Sequence, residues 1–156
     1  MTSATSPYAG GCQCGAVRFR VERVGRASIC HCRMCQKAFG SFYGAFVNGH
    51  GVAWTRGTPK YFASSNLVRR GFCGECGTPL TIENGGLWLA IGAFDNPLLV
   101  APISQVNPAD KQPFTDGLAA LPTRQDGDAP EWDSRRAQII SYQHPDHDTA
   151  EWPPKA

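Results

Sequence analysis

The sequence has no run of about 20 apolar residues, the length a helix needs to cross a bilayer. Also missing are a P-loop, a Gly-rich dinucleotide turn, a Gly-x-Ser-x-Gly elbow and any internal repeat. These absences remove the common nucleotide-binding and acyl-transfer classes. The opening residues, MTSATSPYAGG, have no basic region followed by an apolar stretch, so a soluble, cytoplasmic protein is expected, with no membrane partner. Acids are scarce in the first half. Through Gly77, ten Lys and Arg stand against Glu22 and Glu75 alone, whereas from Thr78 onward five Lys and Arg face eleven acids. The net charge of +2 therefore hides a basic half and an acidic half. The basic excess suits a small acidic substrate or offsets thiolate charge. It is too scattered to make the basic stripe of a nucleic-acid binder, and no such partner is expected.

What the chain does have is cysteine, seven in 156 residues, in tight clusters. A disulfide framework is the first reading only for a secreted chain, so these spacings read as metal ligands. Cys30, Cys32 and Cys35 place three thiols within six residues, and the other four come as pairs, Cys12 with Cys14 and Cys73 with Cys76. A structural zinc site is closed by four protein ligands, and a catalytic one keeps an open fourth position beside three. The partition is thus four and three: one closed site that holds the fold and one open site for chemistry, with two zinc ions per chain.

Seventeen glycines and twelve prolines point to a loop-rich single domain, all-β, built of short antiparallel strands and stapled by metal. Val17, Phe19 and Val21 alternate with Arg18, Arg20 and Glu22, which is the period of a strand with one buried face. Thiols two apart in extended backbone share a side, so Cys12 and Cys14 can reach one ion. The same geometry points Cys30 and Cys32 one way and His31 the other, making His31 a surface or supporting imidazole rather than a ligand. Met34 to Gly40 predicts one helical turn. Phe42–Val47, Val52–Thr55 and Lys60–Phe62 predict short strands, separated by Asn48-Gly49 with Gly51 and by Gly57-Thr58-Pro59. Their aromatics (Phe42, Tyr43, Phe46, Trp54, Tyr61, Phe62) read as core and pocket wall. Cys73-Gly74-Glu75-Cys76-Gly77 is a zinc knuckle that needs two more sulfurs. Leu80–Glu83 and Leu87–Ile91 predict a hairpin across Asn84-Gly85-Gly86, and another short strand falls within Leu98–Val106. Beyond Asn107 the pattern decays, with a packed element around Ile139, Ile140 and Tyr142 and a solvated tail at His144-Pro145-Asp146-His147-Asp148.

Taken together, Gly11-Cys-Gln-Cys-Gly15, Cys30-His-Cys-Arg-Met-Cys35, Gly40, Gly57, Ser65, Arg70, Phe72-Cys-Gly-Glu-Cys-Gly-Thr78, Leu80, Gly92 and Asp95 resemble the glutathione-dependent formaldehyde-activating family, whose wider superfamily includes the centromere protein V group. The resemblance covers about residues 10 to 100. It implies a β-tent zinc domain, placed at residues 8–122, with 123–156 as a partly irregular C-terminal extension. It also implies structural zinc on Cys12, Cys14, Cys73 and Cys76 and catalytic zinc on Cys30, Cys32 and Cys35. The implied activity is that of a carbon-sulfur lyase of the S-(hydroxymethyl)glutathione synthase type, with a small thiol and an aldehyde as partners. Where family members commonly carry His, Lys and Trp after the last strand, this chain has Ile103-Ser104-Gln105-Val106-Asn107.

A zinc ion held by three thiolates suits a fourth sulfur better than a hydroxide, so the expected chemistry is activation of a thiol such as glutathione for addition to formaldehyde or another small aldehyde. Arg33, Lys37, Arg69 and Arg70 are the candidates to grip an acidic thiol's carboxylate. His31 or water would deliver the proton. Two alternatives stand beside this reading: a non-catalytic, zinc-stapled binding module for a protein partner, and an iron electron-transfer centre at the four-sulfur site.

Overall fold

The computed structural model describes residues 6–152, and residues 1–5 and 153–156 lie outside it. Eight strands form one sheet: β1 (Tyr8–Gly11), β2 (Arg18–Cys30), β3 (Gly44–Arg56), β4 (Lys60–Ala63), β5 (Arg69–Phe72), β6 (Pro79–Glu83), β7 (Leu87–Ala90) and β8 (Ser104–Val106). The order is β1-β2-β3-β7-β6-β5-β4, antiparallel throughout, and β8 adds in parallel to β2 beyond β1. Two seven-residue helices accompany it, α1 (Arg33–Phe39) and α2 (Pro130–Arg136). The molecule is all-β, as expected. No helix among the described residues is long and apolar enough to cross a membrane.

Alternation in β2 sends Phe19 and Val21 into the core, where Phe19 meets Trp54 and Phe94 edge to face at centroid distances of 5.9 and 5.2 Å. Val47, Leu80 and Leu89 are fully buried beside them. Backbone passes so close to Phe19 that a Cβ on Gly10 would sit 2.2 Å from the Ala93 carbonyl oxygen, so only glycine fits there.

Several expectations change. The glycines at 49 and 51 do not separate two strands. Gly49 and His50 pair with β2 on one side and Asn48 with β7 on the other, so β3 runs unbroken and the irregularity is taken up as a bulge between Val24 and Ala27. The aromatics divide: Trp54 packs on the core and Phe46 on Trp88, whereas Phe42 lies against Phe114 near the surface and Phe62 is 63% exposed. Tyr61 carries the Arg69 guanidinium on its ring face at 4.1 Å. Ile139, Ile140 and Tyr142 form no packed element and are exposed.

Another change concerns the tail. It is not solvated at His144, which is buried, because residues 144–152 strap back over the turn between β1 and β2. The His144 amide donates to the Gln13 carbonyl at 2.7 Å, and the His144 ring lies edge to face on Trp152 at 4.9 Å. Gly15, at φ +76°, leaves the room: a Cβ there would meet His144 Cδ2 at 2.2 Å. Arg18, which alternation placed on the polar side, is buried between two acids. Its guanidinium donates to both oxygens of Asp95 at 2.7 and 2.6 Å and to Asp148 at 2.7 Å. Arg20 pairs with Asp148 as well, and Arg56 donates to Thr149. Pairing is what permits a buried cation here, since an unpaired one would ionise at heavy cost.

The strap should open in acid. Hydrogen bonding to Arg18 holds the Asp148 carboxyl below its ordinary range. Burial holds the His144 imidazole below its own. In both cases the unfolded chain takes up protons first, so the stabilisation is full above the unfolded values, about 6.5 for His and 3.9 for Asp, and is lost as pH falls through the lowered folded values. NMR of the His144 ring and limited proteolysis of the tail should report release below about pH 6 and none between pH 7 and 8. Release on raising the pH would contradict the assignment.

Candidate metal centre

Seven sulfurs converge in two places. Cys12 and Cys14 sit on the turn from β1 to β2, where the Cys12 amide donates to the Val17 carbonyl at 2.9 Å and the Val17 amide donates to Cys12 Sγ at 3.2 Å. Cys73 and Cys76 sit on the turn from β5 to β6. There the Gly77 amide donates to the Cys73 carbonyl at 2.9 Å, and Gly77 takes φ +77°, the left-handed conformation that closes a knuckle. Thr78 joins the two turns, accepting from the Gln13 amide at 3.0 Å while its hydroxyl lies 3.1 Å from Cys76 Sγ. The four sulfurs all fall within 4.8 Å of one another, with Cys12 to Cys14 at 3.6 Å and Cys14 to Cys73 at 3.8 Å. A zinc-sulfur bond of about 2.3 Å in a tetrahedron implies a sulfur-sulfur edge of about 3.8 Å. The donor set fits such an ion.

Cys30, Cys32 and Cys35 form the second group, again within 4.8 Å. Cys30 ends β2, flanked by Gly44 of β3 and Val106 of β8. Cys32 caps α1, its sulfur accepting from the Cys35 amide at 3.4 Å. Cys35 follows one turn later and is buried. The helix lies so close on β3 that a Cβ on Gly44 would stand 3.0 Å from the Cβ of Cys35 and 2.9 Å from Phe39. The αL conformation of Gly40 then ends α1, its amide returning to the Gln36 and Lys37 carbonyls.

The thiols are unevenly poised. Burial pushes Cys12 and Cys35 up to about 12 and raises Cys14. At Cys76 burial is overcome by the Thr78 hydroxyl and amide, which bring it down to about 6. Cys32 is also lowered, with burial overcome by the Cys35 amide and its neighbouring sulfurs. Sulfurs packed this tightly cannot all ionise unless a cation sits among them, and soft thiolates select a soft divalent ion.

Around the triad, the candidate cations go separate ways. Arg70 is 8% exposed, donating from Nη2 to Cys35 Sγ at 3.5 Å and from Nε to Ser64 Oγ at 3.1 Å, while its Nη1 is buried without a hydrogen-bond partner. Arg69 turns outward to Glu83 at 2.6 Å. Arg33 and Lys37 line, with Met34, Phe62, Ser64 and Arg70, a cavity of about 460 Å³ that has no acidic side chain in its wall. His31 is outside the sulfur group, but it is no surface residue: at 2% exposure its Nε2 shares a hydrogen bond of 2.8 Å with Gln105.

Sequence reasoning missed Gln36, Gln105 and Asn107. Gln36 is buried in α1 and its Nε2 donates to the carbonyls of His31 and Asp110 at 2.6 and 3.0 Å, while its Oε1 accepts from Arg33 and Gln112. It clamps the helix to the stretch just before it and to Asp110, 74 residues further along the sequence. An amide following a cysteine carries no signal of that role. Asn107 donates to Cys30 Sγ at 3.1 Å.

Residues 7–109 match the profile of a family described as glutathione-dependent formaldehyde-activating enzyme. No curated protein matches the chain. Among solved structures, a Rhodobacter sphaeroides protein is 21% identical with a TM-score of 0.50, over 63% of this chain and 99% of that one, which is a likeness of fold.

Gln36→Leu keeps the volume and removes every one of these hydrogen bonds. Leaving the His31 and Asp110 carbonyls without their donor should destabilise the protein by roughly 1–3 kcal/mol in denaturant titration. Hydrogen exchange should rise around residues 31–36 and 107–112. Unchanged stability would show that the clamp is dispensable.

Proposed function

This chain belongs to the glutathione-dependent formaldehyde-activating enzyme family, and on that premise we propose that it is a zinc-dependent carbon-sulfur lyase-like enzyme. It activates a small thiol, glutathione or a similar one, for reversible addition to formaldehyde or another small aldehyde. In this reading Cys12, Cys14, Cys73 and Cys76 hold a structural zinc, and Cys30, Cys32 and Cys35 hold a catalytic one. The observation that carries it is the second sulfur group: three ligands rather than four, beside a cationic cavity.

A zinc ion there, when bound, would draw the proton from a thiol brought to its open position. Arg33 and Lys37 stand on the cavity wall to draw in an acidic thiol, and no acid opposes them. Arg70 sits against Cys35 and offsets the negative charge of three thiolates, so that a further anionic sulfur can approach. Met34 and Phe62 offer apolar contact and help exclude water. In the addition, sulfur attacks the aldehyde carbon, the C=O π bond opens onto oxygen, and the proton lost by the thiol returns to that oxygen. His31 is buried, bound to Gln105 and absent from the cavity wall. Water is therefore the proton carrier in this reading.

Two zinc ions per chain are expected by elemental analysis, with the triad losing its ion first to a chelator. Cys73→Ala breaks the group that joins distant segments, and structural zinc contributes on the order of 10 kcal/mol or more to folding of small domains. That variant should be largely unfolded. Cys35→Ala should stay folded with one zinc. An equal loss of the thermal transition in both would reverse the assignment of roles.

The chemistry itself is tested by magnetisation-transfer NMR, since thiols add to formaldehyde unaided and only an exchange rate at equilibrium isolates catalysis. Exchange between glutathione and its hydroxymethyl adduct should be faster with the protein than in buffer. The acceleration should vanish with Cys32→Ser, which replaces a soft thiolate by a poor ligand. If glutathione and several other small thiols show no acceleration, the chain is a zinc-stapled binding module instead.

A further inference from the structure

The segment from Ser104 to Asn107 is three strand residues and one corner, yet each of its residues reaches toward the stretch that carries the triad. Ser104 Oγ shares a hydrogen bond with Ser28 Oγ at 2.7 Å and accepts from Arg26 at 3.1 Å. Gln105 holds the His31 ring, and the Val106 carbonyl accepts from the His31 amide at 3.1 Å. Asn107 then leaves the strand in the left-handed conformation, φ 53° and ψ 54°, and is the one non-glycine residue with positive φ among those described. Asparagine tolerates that region better than most residues, and such conformations gather where a side chain must be aimed. Here the corner turns the Asn107 amide onto Cys30 Sγ at 3.1 Å.

With that bond, every sulfur of the triad has an N–H donor: Asn107 Nδ2 on Cys30, the Cys35 amide on Cys32, and Arg70 Nη2 on Cys35. The first is the shortest of the three, and the only one of them from a neutral side chain. We propose that Asn107 is a positioning residue for the triad's metal, its amide fixing the direction of the Cys30 sulfur and moderating how strongly that thiolate donates. The inference rests on the reading of the triad as a metal site. Its physical basis is that an N–H dipole pointed at a thiolate stabilises the sulfur lone pairs. Donors of this kind orient the ligand and tune the ion, and removing one typically changes metal affinity ten- to a hundred-fold. The same contact gives β8 a purpose beyond extending the sheet edge, because the parallel register that sets Val106 opposite Cys30 leaves residue 107 at the corner just past it.

Asn107→Gly is the informative variant. Glycine takes the left-handed conformation freely, so the corner persists while the amide is lost. With one equivalent of zinc placed first in the four-sulfur group, cobalt(II) is titrated into the triad against a chromophoric chelator. The variant should bind cobalt about ten-fold or more weakly. Its sulfur-to-cobalt charge-transfer band should move to longer wavelength, as lone pairs no longer stabilised lie closer to the metal in energy. Its melting temperature in the zinc-only form should match that of the unaltered protein. Asn107→Asp, of the same shape but presenting an acceptor to the thiolate, should weaken binding further. An Asn107→Gly band and affinity equal to those of the unaltered protein would overturn the proposal, and so would tighter binding by Asn107→Asp, which would make residue 107 a ligand rather than a donor. If the unaltered protein takes up no cobalt beyond the four-sulfur group, the metal reading of the triad fails, and this inference with it.

Discussion

The four-sulfur group is the constraint on which the rest depends. It brings together the turn after β1 and the turn after β5, segments 59 residues apart at Cys14 and Cys73. The apolar core it borders is small, centred on Phe19, Val21, Val47, Leu80 and Leu89. A sheet of short strands in a chain of this size would benefit from a metal cross-link at such a group, where a larger core would suffice alone. The turns themselves are shaped for sulfur: Gly77 supplies the left-handed backbone, and amides of Val17 and Glu75 point at Cys12 and Cys73.

Once those loops are joined, the long strand β2 becomes a rail with a different function at each end. At Arg18 it meets the C-terminal strap, where one buried guanidinium serves Asp95 and Asp148 together. At Cys30, twelve residues along, it delivers the triad between β3 and β8. The basic excess of the first half of the chain is divided in the same way. Arg18, Arg20 and Arg56 receive acids and carbonyls of the acidic second half, while Arg33, Lys37 and Arg70 face the cavity beside the triad and meet no acid there. A pairing of charges within the chain and an unpaired positive field beside the sulfurs both come from one asymmetry of composition.

Legibility of this protein in its sequence follows the range of the interactions involved. The alternation of Val17, Phe19 and Val21, the glycine turn at Asn84–Gly86, the knuckle at Cys73–Gly77 and the helical turn ending at Gly40 are local, and each could be read directly because a few adjacent dihedrals decide it. The grouping of cysteines into four and three could be read as well, because thiolate chemistry restricts which numbers of ligands close a site. That His31 lies outside the sulfur group also followed from local geometry.

What the tertiary structure alone decided are the features that need two distant segments to meet. Asn48–Gly51 looks like a turn between two strands until pairing with β2 and β7 keeps it within one. Arg18 looks exposed until Asp95 and Asp148 arrive, and His144 looks solvated until Gly15 leaves space for it. Gln36, Gln105 and Asn107 are ordinary polar residues in the linear chain. They acquire their roles only when α1 and β8 close around Cys30–Cys35, because a hydrogen bond between residues some 75 positions apart is set by the fold's topology and leaves no trace in local spacing.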